Sequence, residues 1–422
     1  PPATGTPNGT WSLRKNKNSR SYNQLRDFLC FVGNVKKKRM ISLKSSKVIV
    51  WTNYFWNCLW ALWNGRLIMG TGSSDKNYLI ELDCSRDLAA IFILVYHFII
   101  ESNTAGYIHF SPFILQMFSF WGSIGVNLFF LLSGASLTHR WQNRWNLKEY
   151  VKGRILAIYP DFWVIFFSLF VYGEVLHGNN ASVPKWKLIF SIIGVDGYMQ
   201  QFTSTFYKIG EWFLGCLLIL YFLFPIFRYF VSPNKRTFFG GSILFLFWLI
   251  GPSLCLPYDG NHMVLGQAFV FWVGMLLSQL FGRKYNCKQL VFCGVICGVL
   301  ALLYVPTKYI AFFSAIFIIL FAGVSAQYLK KLPYSIRLFI RLFSKQSYRI
   351  FLIHHVLLVI VIIPRAILYA WHPIFTFIVY FIFCIILSAL LSYISKPVAL
   401  LLKTLLDYWC LIPTIMERTT VG

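Results

Sequence analysis

Charge is what this chain has least of. Asp, Glu, Lys and Arg make up 13% of its 422 residues, about half the share usual in soluble proteins. Acids are scarcer still, 14 against 39 basic residues. The ten cysteines contain no CxxC pair and sit mostly in apolar runs, which argues against a disulfide framework and against a zinc site. There is no GKS or GKT phosphate loop, no GxSxG elbow and no HExxH helix. An ATP-driven pump and a membrane zinc protease are therefore set aside.

What fills the chain instead is apolar: 57% of residues are hydrophobic and 19% aromatic. Long apolar runs recur to the end, and nothing between them could build a soluble domain. The expected fold is all-α, a polytopic integral membrane protein with about ten transmembrane helices. The net charge of +25 would suggest nucleic acid in a soluble protein. Here it reads as basic loops held at the cytoplasmic face, so membrane lipid is the expected partner and nucleic acid is not.

The expected spans are 86–104, 117–138, 155–176, 211–231, 238–256, 262–281, 288–305, 309–329, 347–368 and 373–394. Loops after the even-numbered spans carry seventeen basic residues and the opposite loops five. That alternation places both termini in the cytoplasm. Residues 1–68 hold twelve Lys+Arg and one acid, Asp27, and read as a basic extension with natural translation expected from Met69. The rival reading is a basic tail followed by an interfacial segment, "VIVWTNYFWNCLWALW". Residues 69–397 form the membrane domain and 398–422 a cytoplasmic tail.

Within the first span, "SRDLAAIFILVYHFII", Arg86 and His97 are eleven residues apart, three helical turns, on one face and roughly 16 Å apart along the axis. Ionisable groups at membrane depth are costly, on the order of 2.5–3.5 kcal/mol for an arginine near the centre. His97 suits general-base work, and Glu101, one turn later, could orient its imidazole. The competing reading is a histidine that only bonds a neighbouring helix. Arg86 could clamp phosphates, or could be an interfacial arginine paired with Asp83 or Asp87. In "GSIGVNLFFLLSGASL", the small residues around Ser133 and Gly134 allow close helix packing or close approach of a thin ligand. "GRILAIYPDFW" places Arg154 at the mouth of the third span with Tyr159 and Pro160 inside it. "GEWFLG" opens the fourth span with Glu211 and Trp212. "SYRIFLIHH" carries Tyr348, His354 and His355, and two adjacent histidines are not expected to face the same neighbour.

The order of these stretches, with the Arg, ten residues, His spacing at Arg86 and His97, resembles the family 3 membrane acyltransferases. The match runs from about Leu82 to Pro397 and includes the Ser-Gly at Ser133 and Gly134, RxxxxYP at Arg154, Tyr159 and Pro160, and SYxxxLxH at Ser347, Tyr348, Leu352 and His354. Ala157 and Leu217 depart from the arginine and glutamate many members carry, and the "GEWFLG" form looks like the branch acting on capsular or exopolysaccharide sugars. The resemblance implies a membrane-bound O-acyltransferase of the bacterial cytoplasmic membrane. It would move acetyl, or another acyl group, from acyl-CoA as co-substrate to a sugar hydroxyl of a surface glycan or its lipid-linked precursor. His97 and Glu101 would be catalytic. Arg86, Arg154, Ser133, Gly134 and Tyr159 would bind the donor. Asp83, Glu211, Trp212, Tyr348 and His354 would stand on the acceptor side or play a supporting part. No metal and no bound cofactor are expected. Direct transfer and an acyl-histidine relay both remain open, and a transporter or flippase of glycolipid or acyl groups is the alternative.

Overall fold

A computed structural model describes residues 79–141, 144–176, 182–231, 235–250, 264–278 and 307–420. The extension at 1–68 and the expected span at 288–305 lie outside the described residues. All regular structure among the described residues is helical.

The helices are α1 (Ile80–Thr104), α2 (Pro112–Trp141), α3 (Leu147–Phe170, continued by a π-helical stretch Val171–Leu176), and two short pieces, α4 (Leu188–Ile193) and α5 (Asp196–Met199). There follow α6 (Glu211–Tyr229), α7 (Lys235–Ile250), α8 (Val264–Leu277), α9 (Thr307–Leu329) and α10 (Tyr334–Val356), which runs through a π-helical stretch Leu357–Ile362 into α11 (Ile363–Leu368). The chain closes with α12 (Pro373–Ile394) and α13 (Lys396–Thr420). Among the described residues, six helical stretches are long and apolar enough to cross a membrane: Pro112–Trp141, Leu147–Gly173, Glu211–Tyr229, Ile310–Leu329, Tyr334–Leu368 and Pro373–Ile394. These correspond to six of the ten expected spans. Two more, Phe239–Leu249 and Val264–Leu277, are short apolar helices, and α1 is not among the six because acids and Arg86 crowd its polar ends. The count of ten is not reached among the described residues.

One boundary differs clearly. The segment before the ninth expected span, read as a basic loop, is helical from Tyr334. Arg337, Arg341, Lys345 and Arg349 recur every fourth residue and so lie along one helical face. Phe343 and Ile350 are buried off that face. Periodicity rather than total charge decides that segment. The segment read as a tail begins helix α13, which packs on α3, where Lys152 pairs with Asp407.

Close packing sets the frame. On α2, a Cβ at Gly122 would sit 2.6 Å from the ring of Tyr96 on α1, and one at Gly134 would sit 2.1 Å from the carbonyl oxygen of Phe271 on α8. Gly274 on α8 answers it, since a Cβ there would fall 2.0 Å from the Leu131 carbonyl oxygen. Such small-residue seams let membrane helices approach backbone to backbone. On the other side of α1, helix α10 packs through a core that includes Ala90, Leu94, Phe98, Ile350 and Leu357. A second cluster joins Phe162 and Phe166 of α3, Leu214 of α6 and Leu352 of α10. Helix α10 belongs to both clusters, and the histidine pair at 354–355 sits on it between α1 and α6.

Candidate active site

Two polar sites lie along α1. At the Arg86 end is a cavity of about 280 Å³ lined by Arg86, Ser133, Ser136, Arg140, Arg154 and Tyr221, with Phe129 and two leucines. The Arg86 guanidinium is held from three directions: it donates to Asp83 at 3.0 Å, to the Ser344 hydroxyl at 2.9 Å and to the Ser136 hydroxyl at 3.3 Å. Ser344 also donates to Asp83 at 2.7 Å. Asp83 therefore helps to fix the arginine fork, a supporting contact. The Arg154 guanidinium lies over the Tyr221 ring at 5.6 Å, and its Nε has no hydrogen-bond partner among the described residues. Asn146 starts α3 by accepting the Glu149 amide at 3.1 Å, a capping arrangement that sets where this helix, and with it Arg154, begins. Three arginines, two hydroxyls and a phenol around one cavity form a site for a polyanion.

At the His97 end the side chains come from α1, α6 and α10. His97 Nε2 stands 3.5 Å from Glu211 Oε1, and its Nδ1 is buried with no hydrogen-bond partner among the described residues. His354 and His355 flank the His97 ring, with centroids 4.8 and 5.2 Å away. His354 Nε2 is 4.0 Å from Glu211 Oε1, and His355 Nε2 is 3.3 Å from Glu101 Oε1.

The Glu101 carboxylate hydrogen-bonds His355, and the carboxylate facing His97 is Glu211. Helical spacing puts Glu101 on the right face of α1, yet α10 supplies a nearer partner. The adjacent histidines, not expected to face the same neighbour, both lie against the His97 ring. Successive residues on a helix differ by about 100°, and His97 enters the notch between them, so one ring turns to Glu211 and the other to Glu101. His355 is thus a site residue that the sequence reading passed over. So are Ser136, one turn after Ser133, and Arg140, one turn further; that spacing was the available signal.

The backbone around Glu211 explains how it reaches His97. Glu211 begins α6 with φ +45°, in the left-handed region that non-glycine residues avoid, after Gly210 at φ +92°. A Cβ at Gly197 would come within 2.3 Å of the Glu211 carbonyl oxygen, so the short α5 helix props this turn from behind. Outside the spans, burial pushes the carboxyl of Asp196, the neighbour of Gly197, up to about 6.

Between the two sites a void of about 10 Å³ is lined by Ala90, Ile93, Leu94, Phe129 and His354, among others. Phe129 also lines the arginine cavity, so this residue borders both spaces.

The remaining expected residues fall elsewhere. Gly134 is packed against α8, outside the residues lining the arginine cavity. The Tyr159 hydroxyl donates to the Ile193 carbonyl at 2.8 Å and ties α3 to α4. Tyr348 donates to the Ile158 carbonyl at 3.2 Å and ties α10 to α3. Trp212 lies beside Phe130 and Phe213. Each can support the frame; none of them lines the cavity or the void.

Comparison with curated proteins gives no match, and comparison with solved structures gives none. The family model described as an acyltransferase domain matches residues 79–394, well over half of the chain. That interval holds both polar sites and all six membrane-crossing helices, and the chain belongs to the family 3 membrane acyltransferases: it is an integral membrane protein and an acyltransferase.

Proposed function

We propose that the protein is an O-acetyltransferase that carries acetyl from acetyl-CoA to a sugar hydroxyl of a cell-surface polysaccharide or its lipid-linked precursor. One observation carries the reading: a single helix, α1, bears an arginine-lined cavity and, three turns away, a histidine–carboxylate cluster, and Phe129 borders both that cavity and a small void reaching His354. Arg86, Arg154 and Arg140 hold the phosphates of the donor. The acyl-bearing arm extends along α1 once Phe129 turns aside.

The chemistry follows from the contacts of His97. With Nε2–H directed at Glu211, the lone pair sits on Nδ1, the nitrogen without a hydrogen-bond partner among the described residues. Nδ1 takes the proton of the sugar hydroxyl as its oxygen attacks the thioester carbonyl; the C–S bond breaks, and the departing thiolate recovers that proton from His97. The carboxylate of Glu211 stabilises the imidazolium between the two transfers. The 3.5 Å separation is long for a hydrogen bond, and contacts of this kind tighten when substrate closes the site.

The test is the acetyl content of surface glycan, read by proton NMR, in cells making the native chain or His97→Ala at matched membrane levels. Acetyl present with the native chain and reduced at least ~100-fold in the variant is the expected result. Acetyl undiminished without His97 would remove the base assignment, and a native chain that adds none would remove the acetyl-to-glycan reading.

A further inference from the structure

The cluster around His97 holds more ligand chemistry than one proton-transfer pair needs. Three imidazoles and two carboxylates converge from α1, α6 and α10, and ligand atoms of His97, Glu211 and His355 all lie within 4.8 Å of one another. We propose that His97, Glu211 and His355 bind one divalent transition-metal ion of the zinc type, and that the bound ion switches the site off.

The distances are close to what such an ion requires. Bonds of about 2.0–2.1 Å at tetrahedral angles put neighbouring ligand atoms about 3.4 Å apart. His97 Nε2 and Glu211 Oε1 already stand at 3.5 Å, so only the third ligand has to move inward. Two imidazoles with one carboxylate form a ligand set known for zinc, leaving a fourth position open. Nitrogen ligands disfavour magnesium and calcium, and the lack of a thiolate disfavours copper(I).

His354 gives an independent reason to expect a cation. Its Nδ1 is 2.6 Å from the Phe351 carbonyl oxygen. A carbonyl only accepts, so Nδ1 carries the hydrogen and Nε2 is left as a lone pair. That Nε2 belongs to a residue 1% exposed and has no hydrogen-bond partner among the described residues. It faces Glu211 Oε1 at 4.0 Å, a second acceptor that makes no hydrogen bond among the described residues and has the His97 Nε2 only at 3.5 Å. Two buried acceptors turned toward each other are unfavourable until positive charge comes between or beside them. Glu101, against His355, supplies the carboxylate–histidine contact that commonly orients a metal-ligating imidazole. The sequence could not announce this site, because its ligands are at 97, 211 and 355, without a motif's spacing.

The inhibitory consequence, though not the binding, rests on the acyltransferase reading. An ion on Nε2 needs that nitrogen's lone pair, which moves the imidazole hydrogen to Nδ1. Nδ1 can then no longer accept a proton from a hydroxyl.

The experiment uses the full chain, purified without a polyhistidine tag, stripped with chelator and titrated with Co²⁺, whose visible d–d bands report four-coordinate nitrogen and oxygen ligation. The expected result is one saturable site per chain, displaced by Zn²⁺. Binding should weaken more than ~10-fold in both Glu211→Gln and His355→Gln, and ~10-fold or more in Glu101→Gln. A native chain without a saturable cobalt signal overturns the proposal, and this holds even if a variant misfolds. An unchanged signal in both ligand variants overturns it as well. None of these readings involves acyl transfer, so they stand whether or not the acetyl assay succeeds. Zn²⁺ that binds while acyl transfer continues undiminished overturns the inhibitory half.

Discussion

The two ends of α1 are built on opposite terms. At the Arg86 end the charged group is anchored by Asp83, Ser344 and Ser136, and a cavity of about 280 Å³ opens beside it. At the His97 end the void beside His354 is only about 10 Å³, and the polar atoms are left short: His97 Nδ1, His354 Nε2 and Glu211 Oε1 have no hydrogen-bond partner among the described residues. An anchored cation beside space is suited to holding something large. Polar atoms left without partners are suited to acting on a group that arrives there. In our reading, binding and chemistry are divided between these ends.

The division can be broken most directly at the carboxylates. Glu211→Gln should lower kcat about 100-fold with little change in donor KM, whereas Glu101→Gln should stay within a few-fold of native. Steady-state kinetics in proteoliposomes separates the two, and equal losses would mean that the His97 partner has been misread. At the other end, Arg86→Lys keeps the charge but loses the fork held by three acceptors. Donor KM should rise about tenfold while kcat changes less; a pure kcat effect would merge the two ends into one site.

The smallest expected effect concerns the support beneath Glu211. Burial raises the Asp196 carboxyl to about 6, so the folded protein favours its protonated form. The stabilisation is complete below the unfolded carboxyl value near 4 and is lost as pH rises through 6. The thermal midpoint in detergent should therefore fall between about pH 4 and pH 6.5, and the Asp196→Asn chain should show a flatter profile. Identical profiles would show that Asp196 has no part in the stability of that turn.

Much of this architecture was legible in the chain. Apolar runs mark the six crossing helices, and the Arg86–His97 interval marks the axis on which both sites lie. What escaped was lateral. Helical spacing ranks Glu101 as the partner of His97, because same-helix neighbours are all that one segment can display. Glu211 wins through a turn shaped by Gly197 and Gly210, residues unremarkable in the string. The basic segment at 334–349 was misjudged because its charge was counted before its four-residue period was read. Gly134 reads as close helix packing or as an opening for a ligand; its bare face belongs to α8, a partner 137 positions away that no local pattern reveals.

The left-handed backbone at Glu211 has a consequence for how such a protein can change over time. A conformation of this kind costs on the order of 1–3 kcal/mol for a residue with a side chain and almost nothing for glycine. Durability and chemistry therefore pull this one position in opposite directions. Selection for mere persistence in the membrane would replace the acid first, leaving a sturdier protein with an idle centre. A relative with glycine at this turn should be suspected of having kept the scaffold and abandoned the reaction.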